Sequence, residues 1–265
     1  MRRTALAALA AAGVLAAAAA TAQGASFSSN WAGYVAVPRA HGAGVFTAVS
    51  GTWTEPTVTC TGTTSASAFW VGLGGDDENS PGLEQIGTDA DCERGGTPSY
   101  YAWYELIPAE SVNIRIAIHP GDVINGFTSV HGHYVTLHLT DETTHETFKR
   151  RRYDHYIDLS SAEWIVEAPS TCTRPGRCAP TALSDFGSIE FANAFATAAR
   201  HTDPIASRRW HAGSIDMVQA PVHHVDEPPT VVTASPTGKP TRTGGFTVEW
   251  HSGVSTGPQF RLRRR

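Results

Sequence analysis

The chain has 265 residues with 20 Lys+Arg against 25 Asp+Glu, a formal charge of −5. Taken as a whole, that balance excludes the broad basic face a nucleic-acid binder needs. The length suits one large all-β domain as well as two small ones.

In chain order, Arg2-Arg3 supply a positive start, and the run to Ala20 is almost entirely Ala, Leu, Val and Gly. Ala20-Thr21-Ala22 is a small-x-small cleavage site, so residues 1–22 read as a secretory signal peptide. No later run approaches the ~20 apolar residues of a spanning helix. The expected product is extracellular, has no membrane anchor after cleavage, and forms a single domain over residues 23–265.

Strand signals then dominate. Residues 29–37 alternate large and small before Pro38, and residues 45–53 alternate again and stop at Glu55-Pro56. Residues 68–75 form a strand that runs into a loop over 76–81, and 83–87 is a short strand. A Gly/Asp/Thr-rich loop carries Cys92, and residues 100–108 are the most aromatic stretch. Residues 112–118 place Val112, Ile114, Ile116 and Ile118 at even positions. Further strands are expected over 123–130, 133–140 and 144–152. Residues 161–168 set Trp164, Ile165 and Val166 among Glu163 and Glu167, a pattern suited to a half-buried pleated surface. Ile189, Phe191 and Phe195 fall at strand spacing, 215–218 is a short strand, and Phe246, Val248 and Trp250 close the chain as another. Residues 231–242, rich in Pro, Thr, Ser and Gly, read as a turn-rich stretch. No helix of ordinary length is predicted. The fold class is all-β, an antiparallel sandwich or barrel.

An exported chain permits disulfides, and the pairs expected are Cys60–Cys92 and Cys172–Cys178, the second flanking a Thr-Arg-Pro-Gly-Arg turn. Several chemistries are absent from the sequence: there is no Gly-x-Ser-x-Gly elbow, phosphate loop or dinucleotide fingerprint. His131/His133 and His223-His224 have no third ligand at recognisable spacing, so they read as surface residues, and neither metal nor cofactor is expected.

Polar residues on aromatic or apolar strands are the stronger signal. By the period of two, Tyr101, Trp103, Glu105 and Ile107 share a face, as do Trp70, Gly72 and Gly74. So do Leu83, Gln85 and Gly87, and likewise Glu163, Ile165 and Glu167. The glycines allow a close approach to that backbone. If these faces line one concave sheet, Gln85, Glu105 and Glu167 project from a floor of Trp and Tyr. If they do not, each is a satisfied side chain on its own strand. Spacing alone leaves both open.

Five segments settle on a resemblance: Ser29-Asn30-Trp31-Ala32-Gly33, Phe69-Trp70-Val71-Gly72-Leu73, Leu83-Glu84-Gln85-Ile86-Gly87, Tyr101-Ala102-Trp103-Tyr104-Glu105 and Ala162-Glu163-Trp164-Ile165-Val166-Glu167. In this order and spacing the chain resembles the glutamic peptidases, or eqolisins. The resemblance implies a lectin-like (concanavalin A-like) antiparallel sandwich of two large sheets with a concave substrate cleft. It implies Gln85 and Glu167 as catalytic residues, and Trp70, Glu105, Tyr101 and Trp103 in substrate binding. Two positions depart from the family pattern: Gly74 stands where the family carries Asp, and Tyr101 where it can carry an acid.

The chemistry of the pair is coherent. A Glu167 carboxylate can take a proton from a bound water and return it to the leaving nitrogen. Gln85 does not titrate, and its amide N–H groups suit an oxyanion. No metal or covalent intermediate is required. The expectation is a monomeric, secreted endopeptidase of polypeptide substrates with an acidic optimum, since an ordinary Glu titrates near ~4.3. Two other readings stay open: a carbohydrate-active protein using Glu105 and Glu167 as its carboxyl pair, and a non-catalytic binding module on the same sheet face.

Overall fold

A computed structural model of the chain describes residues 26–39, 45–77, 79–174, 177–219 and 231–252. The expected signal peptide and His223-His224 lie outside the described residues. Those described form strands and no helix. The first nine strands are β1 (Ser26–Ser28), β2 (Trp31–Pro38), β3 (Phe46–Thr54), β4 (Ala68–Leu73), β5 (Leu83–Cys92), β6 (Pro98–Ile107), β7 (Val112–Ile114), β8 (Val123–His131) and β9 (Tyr134–Asp141). There follow β10 (Thr147–Tyr153), β11 (Ala162–Glu167), β12 (Ser170–Arg174), β13 (Arg177–Pro180), β14 (Ser188–Ala198), β15 (His201–Pro204), β16 (Trp210–Gln219), β17 (Val231–Thr237) and β18 (Phe246–Trp250).

Hydrogen bonding links the strands in the order β10-β9-β8-β3-β14-β18-β17-β16-β2-β11-β4-β5-β6-β7. Neighbours on this path are antiparallel; β1 joins β16 in parallel, and β12 and β13 form a separate hairpin. The path folds over on itself, so the two sheets of the sandwich are two layers of one continuously paired sheet. Among the described residues, the contacts that tie the layers include these. The Trp164 indole N–H donates to the Ser50 carbonyl at 2.7 Å, and the Trp53 indole N–H donates to Thr88 Oγ1 at 2.9 Å. Tyr104 of β6 stacks on Phe148 of β10 with centroids 5.7 Å apart.

Burial explains the two kinds of strand. In β8 and β9 buried and partly exposed positions alternate, as expected of a layer with one face in the core. β4 is buried at every position and β11 at all but its last. These two are central strands covered on both sides, by the core on one face and by cleft side chains on the other.

Several boundaries differ from the sequence reading. β5 runs on to Cys92, where a loop was expected, because it stays paired with β6 as far as Pro98. The strand expected over 112–118 ends at Ile114, although Ile116 and Ile118 remain buried. β16 starts at Trp210, well before 215, and part of the turn-rich stretch is β17. Cys60 and Cys92 are bonded. Cys172 and Cys178 are direct cross-strand partners. Cys178 is disulfide-bonded, and the side chain of Cys172 lies outside the described residues.

Candidate active site

The register of β2, β11, β4, β5 and β6 arranges the cleft face in rows. One row runs Trp31, Glu167, Ala68, Asp89, Tyr101. The next runs Gly33, Ile165, Trp70, Gly87, Trp103, and the third Val35, Glu163, Gly72, Gln85, Glu105. Gln85 and Glu167 are therefore two rows, or four residues along a strand, and two strands apart, roughly 13 Å along the strands and about 10 Å across them at the backbone. Both line a single cleft of about 410 Å³, together with Asp89, Tyr101, Trp103 and Glu105.

Trp70 takes a different place from the one its resemblance-based role implied. It is fully buried and does not line the cleft. Its ring lies in the middle row between two glycines: a Cβ on Gly87 would sit 2.6 Å from the Trp70 Cβ, and one on Gly72 would sit 3.0 Å from the ring. The close approach these glycines permit includes that of Trp70 itself. Trp31 covers it edge-on at 5.1 Å. From this position the Trp70 indole N–H donates to Glu167 Oε2 at 2.9 Å.

The other oxygen of Glu167 accepts from Asn30 Nδ2 at 3.0 Å. The Ser28 hydroxyl, donating to Asn30 Oδ1 at 3.1 Å, fixes which way that amide faces. Burial pushes Glu167 up to about 7; the Trp70 N–H pulls the other way, Glu105 adds repulsion, and Asn30 favours the charged form. Gln85 Nε2 donates to Glu105 Oε2 at 2.6 Å, while Gln85 Oε1 has no partner among the described residues. Glu105 is itself raised by burial, and the Gln85 bond partly offsets this.

Two residues of the site escaped the sequence reading. One is Asn30, whose position beside Glu167 follows from the β2–β11 register, in which Trp31 faces Glu167. The other is Asp89, whose Gly/Asp/Thr-rich surroundings read as a loop in the sequence. Had the strand been carried on, parity with Gln85 and Gly87 would have put it on the cleft face. It accepts from the Trp103 indole N–H at 2.5 Å and from the Tyr101 hydroxyl at 2.7 Å. Tyr101 also reaches Asp91 at 3.2 Å. Burial, then the Asp91 charge, holds Asp89 well above the usual carboxylate range.

The departures now have a physical setting. Gly74 has φ +80°, and a Cβ there would meet Asp158 Cβ at 2.5 Å. The space beside Gly74 is thus already filled by an Asp from another part of the chain, whose carboxylate accepts from Ser80 Oγ at 2.5 Å. Glu163 shares the face of Glu167 but is fully buried; burial holds it well above the usual carboxylate range, and the Ser161 side chain pulls the other way. Among the described residues no cluster of His, Cys, Asp and Glu has the makings of a metal site.

Comparison with known proteins gives three findings. Residues 29–233 match the model of the peptidase A4 family. Aspergillopepsin-2 of Aspergillus niger is 31% identical over 202 residues, covering 66% of this chain and 67% of its own. Among solved structures, a scytalido-glutamic peptidase bound to a peptide-based transition-state analogue superposes with a TM-score of 0.66 at 19% identity, over 84% of this chain and 98% of its own. The aspergilloglutamic peptidase from Aspergillus niger superposes with a TM-score of 0.55 at 23% identity, over 71% and 99%.

Proposed function

Because the chain belongs to the peptidase A4 family, the glutamic peptidases, we propose that Gln85 and Glu167 are the catalytic pair of a secreted, monomeric endopeptidase that works in acid medium. The observation that carries this reading is the double fixing of the pair. Two N–H donors hold the Glu167 carboxyl, and Glu105 holds the Gln85 amide, on one cleft. Membership of a peptidase family replaces the carbohydrate-active reading.

In this mechanism Glu167, as carboxylate, removes a proton from a water, and the water oxygen attacks the scissile carbonyl carbon. Negative charge moves to the carbonyl oxygen. Glu105 occupies one N–H of the Gln85 amide, which leaves the second for that oxyanion. The neutral Glu167 then protonates the leaving nitrogen as the C–N bond breaks. Glu105 thus positions Gln85: an ionised carboxylate only accepts hydrogen bonds, so the amide must turn its NH₂ towards it. Trp103 and Tyr101, fixed by Asp89, form the wall against which the substrate lies.

The expected acid optimum rested on a Glu of ordinary pKa. With Glu167 at about 7, the carboxylate thins out below neutrality, so the optimum belongs in weakly rather than strongly acid medium. The test is the purified protein on a denatured protein substrate across the acid range. Gln85→Ala should lose about 10²–10³-fold in kcat, and Glu167→Gln at least as much, each with an unchanged circular dichroism spectrum. Full activity in either variant overturns the assignment.

A further inference from the structure

β10 carries Lys149-Arg150-Arg151-Arg152, four consecutive cations in a chain of formal charge −5. It is an end strand of the hydrogen-bonded path, and all four residues are exposed. Among the described residues the ion pairs are His119–Asp122 and Arg209–Asp203, and none involves this run. By parity Lys149, Arg151 and Tyr153 share the face of Tyr134, Thr136 and His138, and Arg150 and Arg152 project from the other.

Exposed rings are interleaved with the charges. Tyr134, Tyr153 and Tyr156 are 42%, 52% and 51% exposed. The Arg151 guanidinium lies 3.7 Å from the Tyr134 ring centroid, and His133 stacks on Tyr153. The segment after the strand is pinned: the Asp154 N–H donates to the His133 carbonyl at 2.8 Å, and the Tyr156 N–H donates to Asp154 Oδ1 at 2.9 Å.

This patch is continuous with the cleft. The Tyr156 carbonyl lies so close to Gly82 that a Cβ there could not be accommodated, and the Ile107 carbonyl is beside it. Leu83 follows Gly82 and pairs with Ile107, and both line the cleft. A polypeptide leaving the cleft past Leu83 and Ile107 would next meet Tyr156, Tyr153 and the cations. We infer that β10 and the segment to Tyr156 form an exosite for an acidic stretch of the polypeptide substrate, a few residues away from the bond being cut. The inference rests on the proposed substrate cleft. Charges on an edge strand also discourage edge-to-edge pairing; that role explains neither the interleaved rings nor the junction with the cleft.

The experiment compares two peptide substrates, one spanning the cleft alone and one extended, on either side, by about six Asp/Glu residues. It is run at low salt near pH ~5.5, where the extension is ionised. The extension should lower KM about tenfold, and added salt should remove the gain. Replacing Lys149, Arg150, Arg151 and Arg152 with Ser should abolish the gain while kcat and KM for the short peptide stay unchanged. The single Arg150→Ser change should remove part of it. No gain in the parent protein overturns the inference. So does a gain that survives in the four-fold variant, or a variant that merely self-associates with the gain intact, or binding of a sulfated polysaccharide with no preference for the acidic peptide. If the short peptide is not cleaved at all, the catalytic reading fails. Fluorescence anisotropy of the labelled acidic extension, with parent and variant, then still decides whether the surface binds it.

Discussion

Trp70 sets two properties of Glu167 at once. Its ring fills the inner side of the carboxyl site, and its N–H stabilises the ionised form. Burial and these donors act in opposite directions on the same group. Trp70→Phe keeps most of the ring and deletes the donor. A hydrogen bond to a charged group is worth about 1.5–3 kcal/mol, so the acid-side limb of the kcat/KM profile should move up by roughly one to two pH units. A pH–rate profile of the variant measures this; an unmoved limb would mean that Glu167 is not the group titrating there. Tyr101 is a residue-scale case of a different kind. The family pattern can carry an acid here, and this chain supplies a hydroxyl shared by Asp89 and Asp91, so one donor serves two carboxyls that would otherwise be joined by a third.

At the scale of the element, the turn leaving β4 is decided by Gly74. Its φ of +80° and the crowding from Asp158 act together, with a Cβ only 2.7 Å from the Asp158 carbonyl oxygen. Gly95 has a similar φ of +95° and nothing within 4 Å, so it isolates the conformational part. Gly95→Ala should cost about 1 kcal/mol and Gly74→Ala more than about 2 kcal/mol. Urea unfolding checks this: both midpoints should fall with an unchanged slope, and equal losses would show that the contact with Asp158 is irrelevant. The elements also show how far the sequence could be read. Alternation and β-rich composition mark β2, β3, β8 and β9 well, and parity places Gln85 and Glu105 on one face correctly. What parity cannot give is register between strands far apart in sequence. Only register shows that Trp70 stands between the two rows and is covered, or that Asn30 sits beside Glu167. The β12–β13 hairpin and β15 lack long apolar runs, and the polar end of β5 looks like a loop until its pairing with β6 is known.

For the whole molecule, the distribution of buried carboxyls sets the pH range of the fold. Glu55, Glu84 and Glu163 are buried. Burial pushes Glu55 up to about 8, Glu84 up to about 9, and Glu163 well above the ordinary value. In the unfolded chain each titrates near ~4.3. Between those limits the folded protein holds protons that the unfolded chain has released, so stability falls as pH rises. It is fully present below about pH 4 and is lost through neutrality, each group adding up to about 1.4 kcal/mol per pH unit to the slope. Thermal melts should show Tm falling from pH 4 towards pH 8. Glu84→Gln, neutral in both states, should flatten that fall, and a Tm that rises over the range would refute the account. Set beside the proposed need to ionise Glu167, this slope bounds the proposed weakly acid working range from above.

The placing of β11 between β2 and β4 has a consequence in time. Both neighbours come earlier in the chain, so the sheet has a gap until residues 162–167 are made and inserted. Glu167 is the last residue of that strand. On the proposed assignment, a copy still being completed holds Gln85 without Glu167 and so lacks the catalytic pair. On that assignment the order of the strands makes the finished sheet a precondition of the proposed activity and spares unfinished copies from one another.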